Sequence, residues 1–137
     1  MKYLISILMC SALFSPYSYS EDNREVLDLS PEPRRWVIEF MRQMLETLTA
    51  VQGKLADGDL PAVQAQVSAL ETFQKTTKPP RIGRSFPDGF KTMAHSMNDQ
   101  WQVLGKSESV SDALRNSQQL MNYCNACHRS YRLTDSE

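Results

Sequence analysis

Hydrophobic positions fall at steps of three and four residues along nearly all of the chain after residue 30, and no stretch alternates as a strand does. A polar lead-in, residues 21–29, precedes a first seam of Val37, Met41, Met44, Leu48, Val51 and Leu55. Ser30-Pro31-Glu32 supplies its start: a serine placed to cap, then a proline at the first helical position, where the missing N–H costs nothing. Asp57-Gly58-Asp59 ends this helix and caps the next, which carries Leu60, Val63, Val67, Leu70 and Phe73. A broken basic segment, residues 76–87, contains Pro79, Pro80 and Gly83. A third helix follows with Phe90, Met93, Met97, Trp101 and Leu104. Ser109-x-x-Asp112 resembles a capping box for a fourth, with Leu114, Ser117, Leu120, Met121, Cys124, His128 and Tyr131 on one face.

All seven prolines fall near the N-terminus, in connections or in first turns, so none breaks a helix. Four amphipathic helices with mostly short connections predict an all-α chain, an antiparallel up-down-up-down four-helix bundle. The 137 residues suit one such domain.

The first twenty residues change the picture of where the chain works. Lys2, a mostly apolar run over residues 3–14, and small Ser18 and Ser20 read as a cleaved export signal, residues 1–20, ahead of a domain over residues 21–137. The apolar run is too short to remain as a stable membrane anchor. A lipid-anchored start at Cys10 is the rival, and the bulky Met9 before it argues against that. The formal charge of −1 becomes −2 once Lys2 is removed, since the leader holds no acid. That balance points to no nucleic acid and no polybasic membrane surface as partner.

Cleavage also removes Cys10, leaving Cys124 and Cys127 as the only cysteines. They stand in Cys124-Asn125-Ala126-Cys127-His128, and C-x-x-C-H is the attachment signal of c-type haem. On a helix turning about 100° per residue, Cys127 lies about 60° to one side of Cys124 and His128 about 40° to the other. Both thiols thus reach one porphyrin edge while the imidazole reaches iron on the same face. Three other uses of the cysteines fit less well. A thioredoxin-like pair belongs at a helix N-terminus in a βαβ setting. Structural zinc wants four ligands, and beyond His128 the cleaved chain offers only the two cysteines and His95, so a site would need every one of them. A disulfide three residues along a helix has poor geometry.

The ending Cys124-x-x-Cys127-His128-x-x-Tyr131-Arg132, at the end of a four-helix chain, resembles the cytochrome c′ family. The likeness extends to Leu29-Ser30-Pro31 opening the first helix, Met41-Arg42 within it and Gly58-Asp59 at the first turn; only the C-terminal motif is specific. It implies residence in the bacterial periplasm and one haem c per chain, held by Cys124, Cys127 and the proximal ligand His128. It also implies, in many members, a homodimer through the first two helices. Some members keep an open sixth iron position, blocked only by an apolar residue of the first helix, and bind nitric oxide or carbon monoxide. Others ligate iron with a methionine of that helix and carry electrons. Met41 and Met44 occupy the matching stretch, and each also reads as core filling at helical spacing. The resemblance singles out Met41 as the distal ligand, with Met93 a geometric outsider. His95 falls about 200° around the third helix from Met93 and reads as a surface residue.

With His128 and Met41 both on iron, no position stays open for a substrate, and the chain reads as an electron carrier with a redox partner protein rather than an enzyme. Lys78, Arg81 and Arg84 of the basic segment either pair with haem propionates, dock an acidic partner, or form a solvated loop. By family analogy Arg132 shapes the haem surroundings.

Overall fold

The computed structural model describes residues 21–134, so the expected leader and Cys10 lie outside the described residues. Among the described residues there are four α-helices: α1 (Pro31–Ala56), α2 (Leu60–Thr77), α3 (Asp88–Gly105) and α4 (Val110–Ser130). Each packs on its neighbour in sequence, and α1 also packs on α4. None of these helices is long and apolar enough to cross a membrane.

The junctions follow their local chemistry. Asp59 accepts the Ala62 N–H at 3.0 Å and so caps α2, while Gly58 takes φ +72°, a backbone conformation that glycine enters without steric cost. Ser109 accepts the Asp112 N–H at 3.1 Å and donates to the Asp112 carboxylate at 2.7 Å, which fastens the start of α4. Ser30 stands at the N-cap of α1 but makes no side-chain cap, contrary to the expectation from Ser-Pro; proline at the helix start carries that end. Between α2 and α3 lies a 3-10 turn (Ile82–Ser85). Arg81 before it adopts φ +63°, a left-handed conformation costing a non-glycine residue roughly 1 kcal/mol. Burial of Ile82, 2% exposed, offsets that cost by about 1.5–3 kcal/mol.

The seams on α1, α2 and α3 bury Val37, Leu48, Val51, Leu55, Val63, Val67, Leu70, Phe90, Trp101 and Leu104, with Met41, Met44, Met93 and Met97 half-buried. On α4 the seam runs through Ala113, Ser117 and Leu120; Leu114 and Met121 are 47% exposed. Ser117 and Leu120 are buried as the spacing predicts; the correction is that Ala113 is buried where Leu114 was expected, and Leu114 and Met121 face outward. Buried Ser117 accepts a hydrogen bond from Gln52 of α1 at 3.1 Å and donates to the Leu114 carbonyl at 2.9 Å, so its hydroxyl is satisfied.

A larger correction concerns the segments that precede α1 and follow α4. The lead-in is not merely polar: β1 (Glu25–Leu27) pairs in parallel with β2 (Tyr131–Leu133), register Glu25 with Tyr131, Val26 with Arg132 and Leu27 with Leu133. Tyr131 therefore begins β2 instead of continuing α4. Leu27 and Leu29 are 3% and 6% exposed, each contributing about 1.5–3 kcal/mol by burial. Among the described residues the fold is thus mostly helical, with a two-stranded sheet joining the segment before α1 to the segment after α4.

Candidate functional site

The apolar interior divides into two clusters. One gathers Leu48, Val51, Leu55, Val63, Val67, Leu70, Trp101, Leu104, Ala113 and Leu120. The other gathers Leu27, Leu29, Val37, Ile82 and Phe90, with Trp36, Met41, Phe86, Cys127 and Tyr131 packed against them. Members of both line a cavity of about 260 Å³, so the core is parted where the candidate motif sits. Cys124, Cys127 and His128, within the last two turns of α4, all border this cavity. From α1 come Trp36, Phe40, Met41 and Met44; from α3 come Phe90, Met93, His95, Met97 and Trp101. The 3-10 turn and its flanks supply Lys78, Ile82, Gly83 and Phe86.

Aromatic packing holds the walls. Trp36 stacks on Phe40, centroids 5.0 Å apart, and its indole N–H donates to Thr77 Oγ1 at 3.1 Å, tying α1 to the end of α2. Phe86 packs on Phe90 at 4.6 Å, and Tyr131 meets the same ring edge-on at 5.4 Å. The Tyr131 hydroxyl lies so near Gly89 that a Cβ there would sit 2.6 Å from its oxygen. Gly89→Ala gains helix propensity of at most about 1 kcal/mol but overpacks the contact, at about 1–3 kcal/mol. The expected net result is a lower melting temperature, checked by calorimetry; an unchanged or raised value would show that Tyr131 yields freely.

The methionines are distinguished by where they pack. Met41 and Met44 both line the large cavity, but Met44 packs on the first cluster whereas Met41 belongs with Cys127 in the second. Met41 also borders a smaller cavity of about 190 Å³ with Arg24, Leu27, Phe90, Cys127, His128, Tyr131 and Arg132. His128 borders both cavities and is exposed at the mouth. Met93 lines the large cavity, as does His95, which is exposed but does not face away from the site as its helical angle suggested. Of the basic segment, Lys78 reaches the cavity, while Arg81 and Arg84 are exposed.

Cys124 and Cys127 are free thiols, both half-buried. Burial pushes each thiol's pKa up, and the neighbouring Cys124 pushes Cys127 further in the same direction. Reactive C-x-x-C pairs of the thioredoxin kind have the opposite perturbation, a depressed pKa at a helix N-terminus. Among the described residues no group of three or more His, Cys, Asp or Glu side chains is placed to hold a metal ion. A bare-ion site of the structural zinc kind needs such a group. Haem iron asks the chain only for axial donors.

Sequence reasoning missed the wall built by the segments before α1 and after α4. Arg24 donates to the His128 carbonyl at 3.3 Å and to the Asp22 carboxylate at 2.7 Å, and Arg132 lies 3.6 Å from the same carboxylate. Alternation in Leu27-Asp28-Leu29 was the one available signal, too short to outweigh the polar residues around it. Comparisons with models of protein families, with curated proteins and with solved structures returned no match for this chain.

Proposed function

We propose that this chain is an exported, periplasmic c-type cytochrome of the cytochrome c′ kind, carrying one haem and passing single electrons to and from a redox partner protein. The observation that carries this reading is the shared wall: the C-x-x-C-H residues of α4 and Met41 of α1 border one apolar, aromatic-lined cavity. The donor set fits a haem. Cys124 and Cys127 would hold it through thioethers, His128 would ligate iron, and Met41 would complete the coordination. Trp36, Phe40, Phe86 and Phe90 would cover its faces and exclude water. The bound group would supply one-electron chemistry at a potential raised by histidine–methionine ligation and by burial. Preference for Met41 over Met44 rests on its place beside Cys127 and His128.

Short connections at residues 57–59 and 106–109, and the packing of α1 on α4, support an antiparallel up-down-up-down arrangement of the four helices. A homodimer through α1 and α2 belongs to the same proposal and rests on the family resemblance alone. A second reading, a five-coordinate binder of nitric oxide or carbon monoxide, uses the same attachment. The apolar packing around Met41 favours it, because a core methionine need not reach iron.

Covalent attachment is tested first. Protein from a host that matures c-type cytochromes is expected to stay coloured after acid–acetone extraction, with a denatured mass one haem above the chain starting at Glu21. A colourless chain of unmodified mass from that host defeats the proposal.

A further inference from the structure

The chain's N-terminal arm ends on the candidate iron ligand. The last four carbonyls of a helix lack intrahelical partners. In α4 the Cys127 carbonyl accepts the Tyr131 N–H, and the His128 carbonyl accepts Arg24 Nη1 at 3.3 Å. A cation is favourable at this end of the helix, where the carbonyl dipoles point outward. Asp22 sits behind it, accepting from Arg24 Nε at 2.8 Å and Nη2 at 2.7 Å, and those bonds hold its carboxyl well below the usual carboxylate range. The arm is not loosely attached. The β1–β2 pairing fixes its register, and buried Leu27 and Leu29 anchor it in the cluster that also contains Cys127 and Met41.

We propose that Arg24 and Asp22 are positioning residues for His128, the arm acting as a charged brace that holds the end of α4 and tunes the iron's reduction potential. The inference rests on the haem reading above. Arg24 places a positive charge on the ligand's own peptide group, which disfavours ferric iron; Asp22 moderates that charge. The two side chains therefore pull the potential in opposite directions although they belong to one hydrogen-bonded pair. A brace of purely mechanical action predicts otherwise, since breaking either partner loosens the same contact.

The test is redox titration of the holoprotein and of Arg24→Gln, Asp22→Asn, the double variant and Arg24→Lys, each first shown by mass and absorption to carry haem. Arg24→Gln is expected to lower the potential, Asp22→Asn to raise it, and the double variant to return towards wild type. Arg24→Lys keeps the charge and is expected to stay closer to wild type than Arg24→Gln. Shifts of the same sign in Arg24→Gln and Asp22→Asn, or no shift in either, overturn the brace while leaving the haem reading intact. Wild-type protein without haem overturns both, and the mass spectrum alone shows that case.

Discussion

Replacing both Cys124 and Cys127 with alanine is expected to leave a chain that keeps much of its helix and loses its fixed packing. The cavity beside these residues measures about 260 Å³. Left unfilled, a core void of 260 Å³ costs on the order of 6 kcal/mol at roughly 24 cal/mol per Å³. That is an upper figure, because the mouth at His128 is open to water, yet it rivals the whole stability of a small domain, about 5–15 kcal/mol. A thioether-linked haem would stay on the chain when it unfolds, so it would offset this cost through the apolar contacts it makes only in the native state; without the thiols, a merely associated group leaves by dissociation. Losing the two thiols alone is a small matter, since each side chain is only half-buried. The variant should therefore show near-native far-ultraviolet circular dichroism, a weakened near-ultraviolet spectrum, binding of a hydrophobic dye and a broad, early melt. Val51, Val63 and Leu104 do not line the cavity, and the cluster around them is where residual structure should persist. Wild-type melting in the alanine variant would mean that nothing bound at this motif supports the fold.

The helical part of this architecture was legible because it is written locally. Three of four seams, the Asp57-Gly58-Asp59 junction and the Ser109 cap depend on residues within one or two turns of each other. On the fourth, Ser117 and Leu120 are buried as expected, while Ala113 rather than Leu114 enters the core, because its small side chain gives a weak hydrophobic signal. The sheet was illegible for a different reason. Its two strands are three residues each and more than a hundred residues apart, so neither has a periodicity to detect nor a turn to announce a partner. Within the site, C-x-x-C-H was legible as a spacing, and the meeting of Met41 with that motif was an expectation from resemblance. The structure brings the two to one cavity wall. His95 is exposed, as expected of a surface histidine, although it also borders the cavity.

Met41→Leu separates the two functional readings. If the Met41 thioether occupies the sixth position, wild-type ferric protein is low-spin, with a weak near-infrared band from sulfur-to-iron charge transfer. Its ferrous form then binds carbon monoxide slowly, because the gas must first displace sulfur. Leucine keeps the approximate volume and apolarity of methionine, so packing among Val37, Phe90 and Cys127 should change by less than about 1.5 kcal/mol. The only atom of that side chain able to bind iron is gone. The variant is expected to become high-spin, to react rapidly with carbon monoxide and to show a lower reduction potential, since methionine ligation favours the ferrous state. Met44→Leu is the matched control: its side chain lines the same cavity but packs with the other cluster, and it should leave the spectrum unchanged. If Met44→Leu changes spin state while Met41→Leu does not, the ligand is reassigned and the electron-carrier reading stands. A wild-type protein already high-spin and quick to bind carbon monoxide makes both methionines core residues, and the gas-binding reading then replaces the other.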